Sequence, residues 1–205
     1  MYRVLLIVGV AFLIASCYPG GAEYVSDIDV VYTTYEQDYN FKGQSTYAMP
    51  DKIVVDVKIK DGDTTYIYMK QGSADQILSE IEVKMQAYGW TKVDPIVTNP
   101  DIALTPSAIK STTYFYSYWY DWWYGGWYPG WGWYYPPYYT ISSYTTGSLI
   151  ITMADPSVAE DNPIDLSPTV WIAVGNGLYT GNYNASRVTK AIDQAFSQSP
   201  YLKIN

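Results

Sequence analysis

The sequence predicts an α+β domain, in which two helices pack on an antiparallel or mixed β-sheet and a long aromatic, Gly/Pro-rich hairpin is inserted between two strands. Three observations lead to this fold class. Several short segments are β-branched, aromatic or alternating, two segments carry apolar residues at helical spacing, and the order along the chain is strands, helix, strands, helix. The 205 residues suffice for one domain with its own core, and no linker or internal repeat divides them.

Residues 1–16 have the composition of a secretory signal peptide. One basic residue precedes an apolar run, Val4–Ala15, that is too short for a comfortable transmembrane helix. Cys17 is the only cysteine, and Leu13–Cys17 reads LIASC, which resembles the bacterial lipobox. In a lipobox the cysteine is lipid-modified and becomes the first mature residue, so we expect Cys17 to anchor the protein through several acyl chains. The residue after Cys17 is Tyr18 and not Asp, so the enterobacterial sorting rule predicts the outer membrane as the destination.

The mature chain is expected to begin with a short tether and to continue as a single domain. Residues 17–24 comprise the lipidated cysteine and a Pro/Gly segment, and residues 25–205 form the domain. An ordinary signal peptide followed by a chance cysteine is the alternative, and it would leave the protein without a lipid.

The first part of the domain is predicted to form strands. Residues 27–36, DIDVVYTTYE, carry β-branched and aromatic side chains on both faces, which indicates a strand covered on both sides. Ser45–Asp51 is expected to hold a short strand. Residues 52–60 alternate apolar and polar side chains, and DGD at 61–63 then turns the chain, so residues 64–70 should return as a hairpin partner.

A first helix is predicted to follow. Ser73 is the expected N-cap, with Gln76 three residues later completing a capping box. Gly89 supplies the position after the helix that tolerates a positive φ. The face expected to pack on the sheet has apolar residues at helical spacing: Ile77, Ile81, Met85 and Tyr88, with Leu78 beside them.

Three further strands and a final helix complete the domain. A strand begins near Asp101 and is interrupted at Pro106, and the segments at 144–156 and 167–181 are predicted to form two strong strands joined by an acidic loop. Asn184 is the expected N-cap of the last helix. Its buried stripe is Val188, Ile192, Ala195 and Phe196.

The aromatic stretch Tyr114–Tyr139 contains almost nothing but aromatic residues, Gly and Pro. Six of the eight Trp lie between Trp119 and Trp133, and 18 large rings fall within residues 114–144. Gly and Pro after Trp123 break any regular element, so we predict a strand that projects into a loop and returns at residues 138–144. A domain of this size cannot cover so many rings, and some are expected to form an exposed apolar patch.

This patch has three functional interpretations and a structural one. Trp and Tyr favour membrane interfaces, act as anchors in protein contacts, and can stack on sugar rings. The rings can also pack on one another or over the sheet. Protein or membrane-surface contact is the preferred interpretation, and glycan or peptidoglycan binding is the alternative. The candidate contact residues are Trp119, Trp122, Trp123, Trp127, Trp131, Trp133, Tyr120 and Tyr128.

Charge and composition exclude several function classes. The net charge is −8 and no Lys or Arg lies between Lys110 and Arg187, which argues against nucleic acid as a partner. The chain has no His and one Cys, which excludes Ser-His-Asp, Cys-His and Cys/His zinc chemistry. Paired carboxylates remain conceivable in the acidic loop, among Asp155, Glu160, Asp161 and Asp165, although a solvated loop is the expected structure. We therefore assign no catalytic residue, no cofactor and no metal.

The chain resembles a known group of bacterial lipoproteins, the family of domain of unknown function 4136. The resemblance runs from about Asp27 to Tyr201 and is carried by the order of several motifs. These are the lipobox, FKGQSTYAMPD, MQAYGWTKV, NPDIAL, an aromatic Tyr/Trp/Gly loop, GSLIITMAD, PTVWIAVGNG and a terminal amphipathic helix. Family members usually have a basic residue or Arg-Gly after the Trp of the last strand, whereas this chain continues WIAVG. The resemblance implies a lipoprotein of the Gram-negative envelope, and it implies no catalytic site.

Overall fold

The structure, a computed structural model, describes residues 31–60, 63–108, 147–155, 157, 169–178 and 184–205. These residues form a mixed sheet of eight strands with two α-helices, which confirms the predicted α+β class. The strands are β1 (Val31–Tyr35), β2 (Thr46–Ala48), β3 (Val54–Lys60), β4 (Asp63–Tyr68), β5 (Thr91–Lys92), β6 (Ile102–Ser107), β7 (Leu149–Ala154) and β8 (Thr169–Gly175). The helices are α1 (Gln71–Ala87) and α2 (Ala185–Ser197), and single 3₁₀ turns lie at Phe41–Gly43 and Pro200–Leu202. The predicted signal peptide, tether and hairpin insertion at 114–144 lie outside the described residues.

The strand order is β1-β8-β7-β6-β2-β5. β1, β8, β7 and β6 pair antiparallel, while β2 runs parallel to both β5 and β6. The β3–β4 hairpin is antiparallel, as predicted, and joins the sheet where Val54 pairs with Ser107. Pro106 does not interrupt β6, since it pairs with Ile151 of β7. The strand tolerates this proline on its other side because β2 pairs only as far as Ala103 and β3 joins at Ser107.

Both helices pack on one face of the sheet, and the core lies between the helices and that face. The side chains that alternate toward this face are fully buried, and the apolar stripes predicted for the helices meet them. The central members of this core are Leu104, Ile151, Met153, Trp171, Ile77, Ile81, Met85, Val188, Ile192 and Phe196. The helices also contact each other directly, through an ion pair of 2.5 Å between Lys84 Nζ and Asp193 Oδ1.

Helix α1 begins earlier than predicted. Its first residue is Gln71 and its N-cap is Lys70, so Ser73 lies inside the first turn and its N–H donates to the Lys70 carbonyl over 2.9 Å. The Gln71 side chain donates to Asp75 Oδ1 and to the Asp51 carbonyl, which holds this turn in place without a capping side chain. The end of the helix follows the prediction, because Gly89 has a φ of 97°.

Helix α2 starts as predicted. Asn184 is the N-cap, and its Oδ1 accepts a hydrogen bond of 3.3 Å from the N–H of Arg187.

The segment after α2 locks the helical layer onto the sheet. The indole N–H of Trp90 donates to the Leu202 carbonyl over 2.8 Å, and that of Trp171 donates to Ser199 Oγ over 2.9 Å. The N–H of Ile204 donates to the Tyr88 carbonyl over 3.0 Å. Ser199 and Leu202 are fully buried, and this segment therefore completes the core.

Strand β1 is an edge strand, which corrects the prediction that it is covered on both faces. Tyr32 is 49% exposed and Tyr35 is 39% exposed, while Val31 reaches the core. The repeated aromatic and β-branched composition of this strand is equally compatible with an edge, because Tyr and Thr tolerate partial exposure.

Candidate functional site

The side chains predicted to form the site lie outside the described residues. They are Cys17 and the rings Trp119, Trp122, Trp123, Trp127, Trp131, Trp133, Tyr120 and Tyr128. The two remaining Trp residues, Trp90 and Trp171, are both buried and hydrogen-bonded in the core. Their role is structural, which leaves the six Trp of the aromatic stretch as the candidates for contact.

The described residues define where the aromatic stretch is attached. The chain leaves the sheet after β6 at Ala108 and re-enters it at Gly147, just before β7. β6 and β7 are neighbouring antiparallel strands, and Ser107 lies directly opposite Ile150. The stretch is therefore attached at two adjacent points on the same end of the sheet.

The sheet face opposite the helices carries hydroxyl groups next to these attachment points. Thr105, Ser107 and Thr152 are at most 2% exposed, and in the described part of the chain their hydroxyls have no hydrogen-bond partner. Thr105 pairs directly with Thr152 across β6 and β7. A buried hydroxyl without a partner loses its hydrogen bonds to water, which costs free energy on folding.

A second cluster surrounds Asp155, which follows β7. Asp155 is only 3% exposed, so the expectation of a solvated loop is wrong at this position. Oδ2 accepts hydrogen bonds from Tyr39 Oη at 2.6 Å and from Gln44 Nε2 at 3.3 Å. Oδ1 accepts from the N–H of Ser157 at 2.8 Å and from its Oγ at 2.6 Å. The carboxylate thus ties the loop after β1 to the end of β7.

The electrostatics of this cluster favour a structural role. Burial raises the pKa of Tyr39 above its ordinary value of 10.0, and the hydrogen bond to Asp155 and the charge of that carboxylate raise it further. A phenol of this kind is a fixed donor at neutral pH, not a base or a nucleophile. Tyr39 was missed in the sequence analysis. Asp155 stands at the end of an apolar strand, and an acid in that position indicates that a hydrogen-bond donor lies nearby.

Asp101 forms a smaller polar cluster at the start of β6. Its Oδ2 accepts from the N–H groups of Ser45 and Thr46, both at 2.8 Å, and from their hydroxyls at 3.2 and 2.8 Å. Partial burial opposes ionisation, but these four hydrogen bonds outweigh it and hold the pKa of Asp101 below its ordinary value. This carboxylate fixes β2 beside β6 through its Oδ2.

Within the described ranges, no group of three or more Asp, Glu, His or Cys residues is arranged to hold a metal ion. None of the helices in the same ranges is long and apolar enough to cross a membrane.

Comparisons with known proteins identify relatives of the fold. A family model described as domain of unknown function (DUF4136) matches residues 31–201. A DUF4136 family protein from Bacteroides thetaiotaomicron is 32% identical, with a TM-score of 0.62, over 86% of this chain and 98% of that one. PelC from Paraburkholderia phytofirmans, crystallised as a dodecamer, is 11% identical, with a TM-score of 0.40, over 85% of this chain and 98% of that one.

A further similar structure is a PDZ domain protein from Parabacteroides distasonis. It is 15% identical, with a TM-score of 0.44, over 84% of this chain and 36% of that one. The comparison with curated proteins found no match. The family match over residues 31–201 and the 32% identity to a solved member show that this chain belongs to the DUF4136 family, a family of unknown function.

Proposed function

We propose that this DUF4136 protein is a non-catalytic lipoprotein of the cell envelope. The acyl chains on Cys17 hold it on the outer membrane, where the domain faces the periplasm. Its aromatic stretch contacts a protein partner or the membrane surface. The anchor is supported by the LIASC segment at Leu13–Cys17 and by the absence of any other cysteine in the chain.

The observation that supports the contact role is the attachment of the aromatic stretch at adjacent strand ends. The described elements already form a layered domain with a buried core, and the stretch joins Ala108 to Gly147 between neighbouring strands. Binding segments are commonly carried by loops on a rigid scaffold. A domain of this size cannot cover all 18 rings of such a segment, so we expect part of it to form an apolar contact surface.

The non-catalytic character is supported by the environment of the two carboxylates. Asp155 accepts four hydrogen bonds on its two oxygens and Asp101 accepts four on Oδ2, so both carboxylates are engaged in holding neighbouring segments together.

The anchor is tested by replacing Cys17 with Ser. The parent chain, expressed in a Gram-negative host, should incorporate labelled palmitate and fractionate with the outer membrane. Cys17→Ser should lose the label and leave that fraction, whereas Ser16→Ala, a matched change beside it, should keep both. Palmitate incorporation by Cys17→Ser would refute the anchor.

The contact role is tested by deleting residues 120–135 from the aromatic stretch. The deleted protein should keep its circular dichroism spectrum and cooperative unfolding, because Trp90, Trp171 and the core remain. It should lose association with envelope partners or with lipid vesicles. Loss of folding would mean that the stretch is part of the core, and it would overturn this role.

Glycan binding is separated by titrating Trp fluorescence with peptidoglycan fragments and polysaccharides. Trp90 and Trp171 are buried, so a ligand-induced change would report on the six Trp of the stretch. The proposed function expects no response to glycans and a response to a partner or a vesicle.

A further inference from the structure

Within the part of the chain that the structure describes, strand β1 has an unpaired outer edge. It is the last strand on its side of the sheet, and no strand among the described residues pairs beyond it. The five residues Val31–Tyr35 read VYTTY, with neither a charge nor a proline. Natural edge strands are commonly protected by Lys, Pro, a bulge or a covering element, because an open edge invites another strand to pair.

The other margins of the sheet have such protection. At the opposite end β5 is only two residues long, and Lys92 forms an ion pair with Glu82. In the β3–β4 hairpin, β3 carries Lys58 and Lys60 and has a bulge at Val54–Asp56, and the outer strand β4 carries a charge at Asp63. The difference makes β1 the margin best suited to strand addition.

The hydrogen-bond pattern shows which backbone groups face the open side. The N–H of Glu36 donates to the Val170 carbonyl over 2.9 Å, and Glu36 lies opposite Val170 in the register that pairs Tyr35 with Trp171. Hydrogen-bonded and non-hydrogen-bonded pairs alternate along an antiparallel ladder. Residues 32 and 34 therefore bond to β8, and the N–H and C=O groups of Val31, Thr33 and Tyr35 point outward.

This outward pattern is complementary to itself. When two β1 strands run antiparallel with Thr33 on a two-fold axis, Val31 of each copy lies opposite Tyr35 of the other. All outward groups of the three residues then pair, which gives roughly six hydrogen bonds between the strands. No charged side chain lies within Val31–Tyr35, so like charges do not meet inside the pairing.

The side chains on both faces of β1 fit the same arrangement. Tyr35 is 39% exposed and stacks on Tyr201 with 3.7 Å between ring centroids, so Val31 of a second copy would extend an existing apolar cluster. On the other face Tyr32, 49% exposed, would pack against Thr34 of the second copy. Aromatic and β-branched cross-strand pairs of this kind stabilise sheets.

We propose that a second copy of this chain docks on β1, so that the two sheets join through an antiparallel β1–β1 pair. The interface is isologous, as two-fold dimers require. A five-residue strand pair is a small interface, so the dimer is in concentration-dependent exchange with the monomer. Each copy has a net charge of −8, and dimerisation should strengthen as salt screens their repulsion.

The first test uses cysteine cross-linking in the full chain with Cys17→Ser, so that an introduced thiol is the only one. Thr33→Cys places two thiols across the axis in a hydrogen-bonded pair, about 5.5 Å apart at Cα, a separation that a disulfide spans. Mild oxidation should convert most of this variant to a covalent dimer. Thr65→Cys, an exposed position on β4, is the matched control and should remain largely monomeric. Equal cross-linking of the two variants would overturn the proposal.

The second test removes an outward donor without touching the pairing to β8. Thr33→Pro deletes an outward N–H and puts its ring on the open edge, where proline is tolerated. Sedimentation equilibrium should show a monomer–dimer equilibrium for the parent and a dissociation constant at least tenfold weaker for Thr33→Pro, with an unchanged circular dichroism spectrum. A parent that is monomeric at all concentrations, or a Thr33→Pro protein that dimerises as tightly, would refute it. Neither result bears on lipidation at Cys17, so the proposed envelope anchor is tested separately.

Discussion

The indole nitrogen of Trp171, in the middle of β8, lies 2.9 Å from the hydroxyl oxygen of Ser199, and both residues are completely buried. This bond connects the centre of the sheet to the segment that follows α2. The Ser199 hydroxyl also accepts from Tyr201 Oη at 3.1 Å. One small side chain thus joins two aromatic residues of the core to each other.

Replacing Ser199 with Ala should destabilise the domain by about 1–3 kcal/mol, because the buried Trp171 N–H is left without a partner. Urea unfolding followed by circular dichroism measures this loss. Ser197→Ala, at an exposed position at the end of α2, is the matched control and should change stability by less than about 0.5 kcal/mol. Equal stabilities for the two variants would show that the bond contributes nothing.

Tyr39→Phe removes the donor of the 2.6 Å hydrogen bond to Asp155. A bond to a buried charged group contributes about 1.5–3 kcal/mol, so we expect a loss of that size in denaturant unfolding at pH 7. Tyr32→Phe, at an exposed edge position, should be nearly neutral.

Comparison of the parent with Tyr39→Phe also tests how the stability of the domain changes at alkaline pH. The pKa of Tyr39 is raised in the fold, so its contribution is fully present below the unfolded value of 10.0 and is lost as the pH rises above it. The parent should therefore lose stability between pH 10 and pH 11 more steeply than Tyr39→Phe. Identical slopes would contradict this origin of the pKa shift.

Asp101 should govern part of the acid stability. Its pKa is lowered in the fold, so its contribution is present above the unfolded value of 3.8 and is lost as the pH falls through the lower folded value. Asp101→Asn should be less stable than the parent at pH 7 and should lose less stability below pH 4. The comparison variant is Asp51→Asn, whose carboxylate accepts no hydrogen bond from the described residues. Because Asp51 is exposed, this variant should match the parent in stability at pH 7 to within about 0.5 kcal/mol.

For the buried hydroxyls on the sheet face opposite the helices, we predict that their removal does not destabilise the domain. Thr105→Val and Thr152→Val remove buried hydroxyls that have no partner in the described ranges, so each should be neutral or stabilising by up to about 1 kcal/mol. Thr65→Val on exposed β4 is the control for strand propensity and should lie within about 0.5 kcal/mol of the parent. A loss of more than about 1 kcal/mol in Thr105→Val would show that its hydroxyl is engaged.

The elements with a clear period could be predicted from the sequence. The stripes of both helices, the Asn184 cap, the positive φ of Gly89 and the β3–β4 hairpin are local features, and each is set by residues close together in the chain. The local capping pattern predicts Ser73 as the N-cap of α1. The helix starts at Gln71 instead, where the Gln71 side chain also donates to the carbonyl of Asp51, 20 residues earlier in the chain.

The long-range features could not be predicted. Nothing near β2 indicates that it runs parallel to β6, and this pairing depends on the bonds from Ser45 and Thr46 to Asp101, more than 50 residues later. The exposure of β1 depends on its rank in the strand order, which the composition of VYTTY does not encode. The predicted contact residues of the aromatic stretch remain a prediction, since they lie outside the described ranges.

The bonds from Trp90 to Leu202 and from Trp171 to Ser199 also decide how far the domain can be shortened after α2. Both indoles are buried, so removal of residues 199–204 would leave two buried N–H groups without their acceptors. Tolerance to truncation depends on burial and hydrogen bonding, not on position in the sequence. The fold boundary of this domain therefore lies beyond its last helix.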